Sequence, residues 1–156
     1  MKMTHLIANN IAKVFQGDNW TEVSVRDTLQ DITKDEAVMQ TSASRNTIAA
    51  LTHHLYYWNH FIMQRMQGIE PPATEANGFD VPELKTEESW QELINLTRES
   101  FIALSEATKN FPEERLNEKT PNGKSTFYQN LNGIAEHAYY HLGQIVMLKH
   151  LVKRKV

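Results

Sequence analysis

The chain has 156 residues, 40% of them hydrophobic and 22% charged, with a formal net charge of -3 and no cysteine. That length supports one domain with a real hydrophobic core but not two, and the missing cysteines exclude disulfides and thiolate metal ligands. No run approaches the ~20 continuous apolar residues of a membrane span, and the interspersed charges lack the basic stripe of a nucleic-acid binder.

Helical spacing dominates from the first residues onward. Met1-Lys-Met-Thr-His leads into an amphipathic stretch holding Asn9, Asn10 and Lys13. It does not read as a signal-peptide core, so cytoplasm is the expected compartment. A first helix is predicted over residues 3–16, with Leu6, Ile7, Ile11, Val14 and Phe15 at helical spacing and Gly17 as its stop. Ser24 with Asp27, and Thr33 with Glu36, read as caps of two short segments.

A second long helix is predicted from about Asn46 to Gln67, ending at Gly68. Ile69 to Lys85 contains Pro71, Pro72, Gly78 and Pro82. A connection that long can cross the length of a bundle, so its flanking helices could run parallel. Thr86 with Glu87 and Glu88 opens a third helix through about Asn110, with Trp90, Leu93, Thr97, Phe101 and Leu104 as its buried stripe. After Pro112, Pro121 and Gly123, a last helix is predicted over Thr126 to Lys153. Lys149, Lys153, Arg154 and Lys155 complement its negative end, and no nucleic-acid partner is expected. The fold class is therefore all-α: a single-domain four-helix bundle with a long crossover loop between helices 2 and 3.

Seven histidines are distributed over these helices. At about 100° per residue, His54 falls inside the apolar arc of Leu51, Leu55, Trp58 and Ile62, whereas His53 and His60 fall on the opposite, solvated side. On the last helix His137 and His141 lie within the arc of Leu131, Ile134, Ala138, Ile145 and Leu148, stacked one turn apart. His150 and Glu136 point away. Trp58 and Trp90 read as core, and Tyr57, Tyr139 and Tyr140 as edge residues with solvated hydroxyls. Burying each uncompensated imidazole costs roughly 1–3 kcal/mol, a penalty that a divalent cation removes by coordinating the neutral nitrogens. A core histidine with its own hydrogen-bond partner is the competing account of His54, and a His-x3-His pair without metal is common on helices.

Two segments carry a family resemblance. Gly133-Ile-Ala-Glu-His137-Ala-Tyr-Tyr-His141-Leu-Gly143-Gln144-Ile145 resembles the last helix of the DinB and YfiT-like superfamily. Thr47-Ile-Ala-Ala-Leu-Thr-His-His54-Leu-Tyr-Tyr-Trp58 is similar to its second helix, and the pattern selects His54 over His53. The resemblance implies a four-helix bundle with a crossover between the second and third helices, and a site in which His54, His137 and His141 bind a divalent metal ion. Nickel or zinc is the expected ion, with iron or manganese as alternatives. It also implies a homodimer and a transferase acting on a low-molecular-weight thiol and an electrophile. Gln144, close to the same helical face, is a candidate to hydrogen-bond a ligand or the bound thiol. A metal-water hydrolase or isomerase is the alternative chemistry, but no carboxylate is seen facing inward on the histidine-bearing helices. A non-catalytic, metal-stabilised bundle is the third reading.

Overall fold

A computed structural model describes residues 1–154, and it is all-helical, with no strand among the described residues. Four helices are long: α1 (Met3–Gln16), α4 (Ile48–Met66), α5 (Glu87–Lys109) and α6 (Phe127–Lys153). Two short helices, α2 (Val25–Leu29) and α3 (Lys34–Ala37), bridge α1 to α4. None of the described helices is long and apolar enough to cross a membrane.

The boundaries follow from local chemistry. Gly17 closes α1 at φ 97°, a conformation that costs a Cβ-bearing residue energy. The hydroxyls of Ser24, Thr33, Thr47, Thr86 and Thr126 each accept from a backbone N–H in the first turn of the helix they precede. At Thr33 and Thr126 the reciprocal side chains, Glu36 and Gln129, complete capping boxes.

Each of the long helices buries one stripe. α1 packs on α5 and α6, and α4 packs on the same two, so the contacts among the four close into a ring. Phe15 meets Phe101 inside it, with ring centroids 5.6 Å apart. The Trp90 indole is fully buried and its N–H donates to the Ile32 carbonyl at 2.8 Å, tying α5 to the segment between α2 and α3. From α6, Lys149 donates to the Thr28 carbonyl at 2.8 Å and pairs with Asp31, while Lys153 pairs with Asp31 and Glu36. Lys149 and Lys153 thus hold the short helices against α6, while Lys155 lies outside the described residues.

Residues 67–86 connect α4 to α5. This segment folds back on α4 and does not simply run past it. The Ala76 carbonyl accepts from the Phe79 N–H at 2.9 Å, closing a turn in which Asn77 and Gly78 both take positive φ, 53° and 76°. A Cβ at residue 78 would lie 2.6 Å from the Tyr57 side chain, so only glycine lets the turn lie this close to the helix.

A candidate metal centre between α4 and α6

His54, in the second turn of α4, and His137 and His141, mid-way along α6, meet where these two helices pack. The Nε2 atoms of His54 and His137 are 2.9 Å apart, and those of His137 and His141 are 3.0 Å apart. Across all three rings the ligand-capable nitrogens lie within 4.8 Å of one another. His54 and His141 are buried and His137 is half-buried.

The outer nitrogens fix which inner atoms carry lone pairs. His54 Nδ1–H donates to the main-chain carbonyl of Asn77 at 2.6 Å, and His141 Nδ1–H donates to Gln144 Oε1 at 2.7 Å. A neutral imidazole has one proton, so the Nε2 of each of these two rings faces the cluster bare. His137 lies against both, and a single Nε2 proton could serve only one of them. Its Nδ1 is buried without any partner. Held by protons alone, the cluster leaves one lone pair opposing another. A cation at the convergence point satisfies all three, and the all-imidazole donor set suits zinc, nickel, copper and iron.

Burial also keeps the rings neutral. It pushes His137 down to about 3, with the neighbouring His141 and His54 adding to the effect. Burial likewise lowers His54, to about 4, against the opposing pull of the Asn77 carbonyl. His141 is lowered by burial, partly offset by Gln144. Neutral imidazole is the form that binds metal, so the ligands stand ready at neutral pH.

The surroundings hold the rings in place. Phe79 stacks on His54 with ring centroids 3.9 Å apart and planes 6° from parallel. Gln144 in turn donates from Nε2 to the Tyr140 hydroxyl at 3.1 Å, so its amide is oriented from outside. A cleft of about 380 Å³ opens beside His137, lined by Trp58, Ile62, Asn77, Gln129, Asn130, Gly133 and Ile134. A larger one, about 570 Å³, lies between α1 and α6 and includes none of the three histidines.

The three histidines expected from helical angle do converge, and His60, His150 and Glu136 are exposed as expected. His53 departs from expectation. It is half-buried, and its Nδ1–H donates to the Gly78 carbonyl at 2.8 Å, because the connecting segment covers the face of α4 that would otherwise meet water. Trp58 is half-buried and walls the cleft beside His137. Asn77, Gly78 and Phe79 were not anticipated at all. Their signal was present, an Asn-Gly turn followed by a lone aromatic in a polar, Pro-rich connection.

Neither a curated protein nor a solved structure gives a match to this sequence. The model of one family does match, over residues 19–145, which takes in all three clustered histidines and the segment that braces them; the chain belongs to the DinB superfamily.

Proposed function

We propose that His54, His137 and His141 bind one divalent metal ion and that the protein is a cytoplasmic, metal-dependent transferase acting on a low-molecular-weight thiol. The observation that carries the metal is the convergence of three Nε2 atoms, two of them stripped of protons by Asn77 and Gln144. Three protein ligands leave positions for a substrate, as catalytic sites do. The four-helix bundle with a crossover between α4 and α5 is the reading that the closed ring of helix contacts supports.

A bound divalent cation lowers the pKa of a coordinating thiol and so supplies thiolate at neutral pH. The chain's own groups supply the rest. The Asn77 carbonyl and Gln144 hold two ligand rings in the required tautomer, and Phe79 shields His54 from water. The bond formed is carbon to sulfur; the leaving group departs with its electron pair and the thiol proton goes to solvent. Metal-bound hydroxide chemistry would need a general base, and no carboxylate lines the cleft beside His137. Tyr140, Met147 and Leu151 share an exposed face of α6, and this supports pairing of two copies of the chain, which sedimentation velocity tests directly.

Elemental analysis of the purified protein, beside consumption of several thiols with monobromobimane, tests the reading. Stoichiometric nickel or zinc and a metal-dependent rate with one thiol are expected. Metal content without any rate above background would leave a metal-stabilised bundle and remove the transferase.

A further inference from the structure

The cleft beside His137 differs in character from the centre it adjoins. Its walls are Trp58, Ile62 and Ile134, and none of its lining residues is charged. Most of the nearby polar capacity is already committed. Asn130 donates to Ser125 Oγ at 2.5 Å and accepts from Arg65 at 2.8 Å. Arg65, the cation that could otherwise reach in, is spent on both carboxylate oxygens of Glu70, at 2.9 and 2.6 Å. Gln129 Oε1 accepts from the Thr126 N–H at 2.9 Å in the cap of α6. Among the described residues this leaves the Asn77 side-chain amide and Gln129 Nε2, beside two buried ring nitrogens without a partner, Trp58 Nε1 and His137 Nδ1.

Gly133 makes the room. It sits inside α6, where glycine weakens a helix, yet a Cβ there would find nothing within 4 Å. No backbone conformation or close helix contact requires it. Any side chain at this position would project into the cleft one turn before His137.

We infer that this cleft seats the electrophile, and that it selects an uncharged, largely apolar molecule able to hydrogen-bond to a side-chain amide. The inference rests on the reading of the histidine cluster as a metal centre that takes a second substrate. A cation brought among these walls would lose its hydration without any opposite charge in return, and an anion would find one only at the metal itself, at the His137 end of the cleft. A thiol that carries ionised groups is excluded by the same walls, so the cleft suits the partner that the thiol attacks.

The test is binding, not turnover. Trp20→Phe protein, which lacks the fully exposed indole, is titrated with 4-nitrotoluene and 4-nitrobenzylammonium when zinc-loaded, and with 4-nitrotoluene and 4-nitrobenzoate when zinc-free so that no metal binds the carboxylate, reading quenching of Trp58 over the constant emission of the fully buried Trp90. The neutral probe should bind at least about tenfold more tightly than either charged one. Gly133→Leu should abolish that binding and Gly133→Ala should weaken it, with zinc content unchanged in both. Both substitutions raise helix propensity at an open position, and a cooperative melting transition confirms that each folds. Equal binding of a charged probe, no binding of the neutral one, or unchanged binding in Gly133→Leu would each overturn the inference. Discrimination among the probes supports it whether or not thiol consumption is found, so the two readings fail separately.

Discussion

His54 and Asn77 meet side chain to main chain: the imidazole Nδ1–H donates to the Asn77 carbonyl at 2.6 Å, across 23 residues of sequence. A helix positions the ring, but a connecting segment decides which of its nitrogens is free. Metal ligands are commonly oriented in this way by an acceptor behind them, and losing that acceptor typically costs about 10–100-fold in affinity.

Gly78→Ala follows from this. The added Cβ would lie 2.6 Å from the Tyr57 side chain, and φ 76° is unfavourable for alanine, so the turn must move away from α4. Zinc affinity should fall by about tenfold or more although no ligand is altered. Competition with a chelating dye measures it, and an unchanged affinity would show that the Asn77 carbonyl does not matter.

The adjacent pair His53 and His54 should separate cleanly. His54→Ala or His137→Ala removes a ligand and should abolish stoichiometric metal. His53→Ala loses one hydrogen bond to Gly78, a cost of about 0.5–1.5 kcal/mol, and should keep the metal. Metal content by elemental analysis and denaturant midpoints read the two effects independently.

Gln144 offers a change in either direction. Gln144→Glu places a carboxylate behind His141 Nδ1, raising the basicity of that ring, and should tighten metal binding. Gln144→Leu removes the acceptor and should weaken it by about tenfold. Tightening by leucine would contradict the orienting role.

Acid should destabilise the metal-free protein. In the unfolded chain each imidazole gains its proton as pH falls through about 6.5, whereas burial holds His54 near 4 and His137 near 3 in the fold. Between these values the unfolded chain binds more protons. The contribution to stability is therefore intact above about pH 6.5 and is lost as pH falls toward the folded values. Urea midpoints measured in chelator from pH 7.5 to 4 should decline, and more steeply than in a His54→Phe, His137→Phe double variant.

Periodicity and capping made the helices legible. Met3–Gln16 forms the first helix as predicted and the Thr86 cap opens α5, whereas the caps at Thr47 and Thr126 emerge only in the structure. Helical angle alone separated His54 from His53, since one points at α6 and the other away. It could not show that His53 is covered, because that depends on where a Pro-rich segment lies after folding. The same limit hid Phe79, whose stacking on His54 is a contact between distant parts of the chain with no periodic trace. It also left Trp58 as core, because an arc of apolar residues does not reveal which of them borders an opening.

The turn at residues 76–79 has one more consequence. The connection is pinned at its midpoint, and again at Glu70 by Arg65 and where Val81 and Leu84 pack on the core, so it behaves as a series of short tethers, each with its own closure entropy. Added length around Pro72, between Glu70 and the turn, would be absorbed as slack and leave the histidines undisturbed. A single deletion within the pinned turn would shift the register of both clasped carbonyls at once. Tolerance to insertion should therefore change abruptly along these few residues, in a part of the chain that composition alone would describe as uniform spacer.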